Sequence, residues 1–408
     1  MKFILHSVFW GNRHTNLFIN YSLPSLLGDK SIDKNINKYE FQFNIFCSSE
    51  DFKNIKNHKI FKILKSKMNI KINTELVDEK LKIIDQLNNI KDAGGALNQG
   101  HVRINNICIK KSMDEMFANR TTAFCWFKPD TIYSNTYITK VVEAYEAGKR
   151  MVWAPSENRS CIDILDHINN FKNDDGIINI DPISLSTAAF KYIVQRYSYK
   201  NFYNYYNPTL DWGFYHTTPD GVIKHSPDPN PIFLYPTNYD MSFEYYNDKK
   251  FNDWTATDFM DKAVPNLDDI DIVKDTNEIT SLDIEYEKYD KKNFENFNKI
   301  TNNIFFRPSK IKFIKLILKQ NLGKLCNHYY STPILHRIDN MDKLFKVSPD
   351  NGENVPSKFI QESIKFAEKI KDNKIYVLSL FVFANIIHIL YRLKRKLTPN
   401  IRIIGGEH

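Results

Sequence analysis

Five cysteines stand among the 408 residues, Cys47, Cys108, Cys125, Cys161 and Cys326, scattered, odd in number and without a C-x-x-C pair. That pattern excludes a disulfide framework and a zinc knuckle and fits a reducing compartment. Glycine is also scarce, 13 in all, and Gly94, Gly95 and Gly100 are too sparse and wrongly placed for a dinucleotide loop. The chain has no G-x-G-x-x-G, no G-x-x-x-x-G-K-[ST], no G-x-S-x-G and no H-E-x-x-H, which removes the signatures of dinucleotide binding, P-loop, α/β-hydrolase and zinc-protease chemistry. Segregated charge is lacking too. The formal net charge is +8 and lysine is interspersed with Asp and Glu, which argues against a dedicated nucleic-acid binder and leaves phosphate ligands or an anionic membrane surface as partners.

What is present describes a folded chain. Aromatics make up 14% and hydrophobics 42%, above the content of solvated, unfolded sequences. The length allows two domains, or one large α/β domain with an appendage. Residues 1–10 are apolar but too short for a secretory h-region; they predict a first strand and a protein that stays in the cytoplasm.

Along the chain, strand-like runs at 3–10, 41–47, 72–77, 121–127 and 150–154 alternate with helical patterns. Ser48 with Glu50 and Asp51 offers a hydroxyl cap and first-turn acids for one helix; others are expected at 79–90 and 101–117. This alternation predicts a mostly parallel sheet flanked by helices. From about 156 the pattern changes: a helix at 184–197, then an aromatic section at 199–246 broken by prolines, with strand-like islands at 213–216, 221–225 and 231–235. The acidic stretch 268–287 reads as a connector, and 308–325 and 355–371 read as basic helices. The expected organisation is a nucleotide-sugar-binding half at 1–155, an acceptor half at 156–290 and a basic helical region at 291–408. Residues 375–391 are nearly all apolar and are followed by Arg392, Lys394, Arg395 and Lys396. At the lower length limit for a bilayer span, they read first as a core helix, next as a helix lying on a membrane and last as a span.

The most informative stretch is 121–135, an apolar run that stops at Asp130. An acid just past a central strand sits where open α/β sheets bind ligands. Together with Gly100-His-Val-Arg103, Phe127-Lys-Pro-Asp130-Thr-Ile-Tyr-Ser134, Glu146-Ala-Gly-Lys-Arg150 and the opening Phe9-Trp-Gly11 and Leu23-Pro-Ser-Leu-Leu27, it resembles bacterial GT-A-like glycosyltransferases of surface-polysaccharide type (capsule, lipopolysaccharide). The likeness covers about the first 40% of the chain well and Trp254-Thr-Ala-Thr-Asp258 loosely. It implies a GT-A-like, Rossmann-like fold, a nucleotide-sugar donor and a glycan or glycolipid acceptor; the interspersed charge, the scattered cysteines and the basic C-terminal elements add the expectation of no nucleic acid and of a cytoplasmic protein peripheral on the inner face of the membrane.

In such enzymes a D-x-D at this strand end holds a divalent metal, Mn²⁺ or Mg²⁺, on the diphosphate. Here the first acid is Lys128, in Lys128-Pro129-Asp130, so two-acid metal binding is not offered by the motif, and a lysine there can neutralise phosphate directly. The plain alternative for Asp130 is a capped turn. His101 and Arg103, near an expected helix start, are candidates for contact with the nucleotide, or ordinary surface residues. His225 is the candidate second metal ligand, Asp258 the candidate base, and Trp254 an aromatic for stacking on a sugar; each also fits a structural role. Two other functions stay open: a non-catalytic carbohydrate-binding or assembly subunit with a degenerate fold, and a nucleotidyltransferase, which needs a second metal-binding acid.

Overall fold

The computed structural model describes residues 1–88, 94–155, 158–193, 214–225, 230–239, 260, 262–286, 328, 331–340, 355–380 and 382. The chain divides into two compact units. The first combines Met1–Tyr192, Pro229–Tyr289 and His336–Asp339, and the second combines Ile193–Asp228, Asp290–Leu335 and Asn340–His408.

In chain order the strands among the described residues are β1 (Lys2–Val8), β2 (Glu40–Phe46), β3 (Asn69–Asn73), β4 (Thr122–Trp126), β5 (Thr131–Tyr133), β6 (Met151–Ala154), β7 (Asn158–Cys161), β8 (Phe214–Thr218), β9 (Gly221–His225), β10 (Asn230–Leu234), β11 (Ile270–Ile272), β12 (Ser281–Glu285) and β13 (Ile334–Arg337). The main sheet of the first unit has seven strands in the order β11-β6-β10-β4-β1-β2-β3. All of its pairings are parallel except those of β10, which runs against both β4 and β6. A mostly parallel sheet covered on its faces needs apolar residues on both sides of its strands, and Phe3, Ile4, Leu5, Phe41, Phe43, Ile45, Ala123, Phe124 and Cys125 are all buried. The mixed α/β architecture read from the alternating pattern is therefore present.

The helices of the first unit are α1 (Gly11–Leu17), α2 (Leu23–Leu27), α3 (Ser31–Asn35), α4 (Ser49–Ile55), α5 (Lys59–Lys67), α6 (Glu75–Asn88), α7 (Gly94–Ala118), α8 (Tyr137–Glu146), α9 (Ile164–Ile168) and α10 (Pro182–Lys191). A π-helical turn, Phe18–Ser22, joins α1 to α2. Ser48 caps α4 as its sequence implies, its side chain accepting from the Asp51 N–H. The third strand, expected at 72–77, instead ends at Asn73, because Glu75 and Asp78 suit a first helical turn. Val77 is buried on that helix, against Phe46, Ile104 and Cys108.

Under α7 the sheet face carries a polar seam. The His6 Nδ1 lies 3.0 Å from Ser112 Oγ, which also accepts from Asn44 Nδ2 at 3.1 Å, and Gln42 donates to Asn44 Oδ1 at 2.7 Å and to Glu115. Lys2 closes the row on Glu115 at 2.5 Å.

A second sheet, in the order β5-β12-β7, follows the main one. The stretch 268–287, expected to be a connector, supplies the edge strand β11 and the central strand β12. Its acids mask an alternation in which Leu282 and Ile284 enter the core with Ile132, Ile164 and Leu185 while Asp283 and Glu285 lie on the other face. In the second unit β8 and β9 form an antiparallel hairpin, and the expected helix at 355–371 is α11 (Val355–Ile370). The expected helix at 308–325 lies outside the described residues. Among the described residues no helix is long and apolar enough to cross a membrane.

Candidate active site at the β1/β4 switch point

The chain runs from β1 outward to β2 and β3 and then returns, through α6 and α7, to place β4 on the other side of β1. Where neighbouring parallel strands lead away in opposite directions, a crevice opens beyond their carboxyl ends. The residues there are Phe9, Trp10 and the first turn of α1 after β1, and the turn 127–130 after β4.

Every residue of the second turn is fixed through its backbone. The Phe127 N–H donates to His6 O at 3.0 Å and Lys128 N–H to Tyr133 Oη at 2.9 Å. The Pro129 carbonyl accepts from Ser22 Oγ at 2.6 Å, and Asp130 O accepts from the Ile284 N–H at 2.9 Å. Ser22 is the last residue of the π-helical turn, and such irregular turns recur at functional sites. Phe127 stacks on Tyr133 at 4.7 Å between ring centres, and the Tyr137 hydroxyl donates to Trp126 O. A loop held in this way presents its side chains without further ordering when a ligand arrives.

The first turn is locked by Asp51. Its carboxylate accepts from Gly11 N–H at 2.9 Å, Thr15 Oγ1 at 2.6 Å and Ser48 Oγ at 2.5 Å. Gly11 has φ +79°, a left-handed conformation that a β-carbon disfavours. This bend starts α1, which brings His14 Nε2 to 3.9 Å from Asp130 Oδ2.

The third contribution comes from the second sheet. Asp283 pairs in register with Thr131 on β5 and Arg159 on β7. Thr131 Oγ1 donates to Asp283, and Lys128 Nζ lies 3.8 Å from Asp283 Oδ2. Two positions on, Glu285 accepts from Arg159 Nη1 at 2.8 Å. The Asp130 carboxyl is pushed above the ordinary carboxylate range, first by loss of water and second by the charge of Asp283; His14 and Lys128 pull it the other way. Raised carboxyls beside cations mark sites where charge is handled.

Of the residues named from the sequence, the structure brings together Lys128 and Asp130. His101 and Arg103 lie on α7, with side chains outside the described residues, as are Trp254 and Asp258. His225 ends β9 in the second unit, fully buried and paired with Phe214. Arg13, His14, Arg159 and Asp283 were missed. Their signals were Gly11 closing an apolar strand and the alternation Leu282-Asp-Ile-Glu285, both weak in a single sequence.

Among the described residues no group of three or more His, Cys, Asp or Glu side chains is arranged to hold a metal ion. Asp130 and Asp283 are two hard oxygen ligands, and a divalent cation held by them would complete its shell with phosphate oxygens and water. No protein-family model and no curated protein matches this chain.

Proposed function

We propose that the crevice beyond β1 and β4 binds the diphosphate of a nucleotide-sugar and that the protein is a glycosyltransferase with a GT-A-like fold acting on a glycan or glycolipid. The observation that carries this reading is the cluster of Lys128, Asp130, His14 and Asp283 at the switch point of the sheet. In transfer, an acceptor hydroxyl forms a bond to the anomeric carbon, the bond to the diphosphate oxygen breaks, and its electron pair leaves with the phosphate. Lys128 offsets the charge that develops there, in a turn already fixed for it. Asp130 orients the diphosphate, and Asp258 is the proposed base that takes the hydroxyl proton. If a divalent cation binds, Asp130 and Asp283 hold it and it adds Lewis-acid charge to the leaving group.

The test is thermal denaturation of the whole protein with UDP-, GDP-, CMP- and dTDP-sugars, each with and without Mn²⁺. A ligand bound only by the native state raises the midpoint by mass action. A rise with one nucleotide class is the expected result; no rise with any removes the reading.

A second reading, nucleotidyl transfer, is favoured by one observation: it needs a second acid beside Asp130, and Asp283 is there. The released product separates the two, since sugar transfer from a UDP-, GDP- or dTDP-sugar releases a nucleoside diphosphate, whereas nucleotidyl transfer from a nucleoside triphosphate releases inorganic diphosphate.

The second unit carries the proposed membrane contact, peripheral and cytoplasmic. Ile375, Tyr376, Leu378 and Val382 are exposed beyond α11, and Lys365, Lys369, Lys371 and Lys374 accompany them. Apolar residues flanked by lysine suit the interface of an anionic bilayer.

A further inference from the structure

Beside the charged cluster lies a flat assembly that phosphate handling does not use. The Arg13 guanidinium carbon sits 4.0 Å from the centre of the Tyr286 ring. Arg13 adjoins His14 on α1, and Tyr286 stands three residues beyond Asp283. The plate therefore bridges the two elements that supply the cluster. With the guanidinium stacked upon it, Tyr286 still exposes 49% of its surface. The ring therefore offers open aromatic surface near the strand residue Asp283.

We propose that Arg13 and Tyr286 form the stacking platform for the nucleobase of a nucleoside diphosphate. The inference rests on the reading of the neighbouring cluster as a diphosphate site. Bases stack on aromatic rings and on guanidinium planes alike, whatever their hydrogen-bonding edge, because every base has a π-face. The guanidinium lies over one face of the Tyr286 ring, a cation–π contact that steadies the ring and adds a second planar group on which a base can stack. Among the parts of a nucleotide-sugar the base is the one that is flat on both faces.

The experiment compares the affinities of UDP, GDP, dTDP, inorganic diphosphate and glucose 1-phosphate for the full-length protein and for Tyr286→Ala and Tyr286→Phe, with circular dichroism confirming the fold. In the wild type at least one nucleoside diphosphate should bind about tenfold or more tightly than inorganic diphosphate, a gain typical of one stacked base. Tyr286→Ala should erase that gain, Tyr286→Phe should keep it, and inorganic diphosphate should bind all three alike. A gain that survives Tyr286→Ala, or one that belongs to glucose 1-phosphate, overturns the inference. If inorganic diphosphate does not bind but a nucleoside diphosphate does and loses affinity in Tyr286→Ala, the phosphate reading falls and the platform stands. Failure of every nucleoside diphosphate to bind overturns both.

Discussion

Lys128 Nζ stands 3.8 Å from Asp283 Oδ2, a contact between the turn that ends β4 and the central strand of the second sheet. The charge of Asp283 raises the Asp130 carboxyl, and that of Lys128 pulls it the other way. The contact links the two sheets at the point where the parallel strands diverge, and under the proposed function it sets positive charge against the diphosphate.

Replacing Asp283 with Asn should therefore lower the titration midpoint of Asp130. The like charge is the second cause of its elevation, so the midpoint falls toward the ordinary carboxylate range without reaching it, because the first cause, loss of water, remains. Carboxyl-labelled aspartate NMR follows this directly. An unchanged midpoint would separate the two acids.

Lys128→Ala tests how leaving-group charge is met. If the lysine replaces a cation, transfer survives EDTA and falls on substitution by about 10² to 10³, the range for removing one preorganised stabilising donor. Complete EDTA sensitivity reversed by Mn²⁺ would assign that charge to a metal held by Asp130 and Asp283. Asp130→Asn should abolish transfer with the fold intact, and normal turnover by that variant would take Asp130 out of the mechanism.

Much of the fold was legible because buried parallel strands read as apolar runs bounded by turns: β1, β2, β4 and β6 were all expected within a few residues. Asp130 was legible for the same reason, as the acid that stops such a run. Asp283 was not, because its strand sits in a segment so rich in acids that it reads as a connector. Its meeting with Lys128 is set by pairing across β5 and β12, information that spacing along a chain does not contain. The same holds for Asp51, which reads as a first-turn acid of α4 and serves as well as the clamp on the turn after β1.

Asp51→Ala leaves the Gly11 N–H and Thr15 hydroxyl, both bound to that carboxylate, without their acceptor. A buried donor that loses its partner costs about 1–3 kcal/mol, so the variant should unfold at lower denaturant with an unchanged m-value. Because α1 also carries Arg13 and His14, nucleotide affinity should fall as well. A variant with wild-type stability would show the clamp to be dispensable.

The last prediction concerns acid. Burial lowers the His6 pKa from 6.5 to about 3, so the ring stays neutral in the folded chain while the unfolded chain protonates below 6.5. The unfolded state then binds the extra proton between those values, and stability is lost as pH falls from about 6.5 to about 3, by at most about 1.4 kcal/mol per pH unit. Glu115, held at about 2 by its bonds from Lys2, Lys71 and Gln42 despite partial burial, adds a loss as pH falls from 4.5 toward 2. Asp130 acts in the opposite sense: its raised carboxyl favours the folded state at low pH and withdraws that support as pH rises above 3.8. Set against a His6→Asn variant, which keeps Glu115 and Asp130, the wild type should lose stability more steeply as pH falls below about 6.5. Denaturant midpoints measured from pH 7 to 4 check this, with His6→Asn as the control that carries no titrating ring. A wild-type curve as flat as that of the control would mean that His6 is protonated in the native protein or that its neutral form is not what the seam requires.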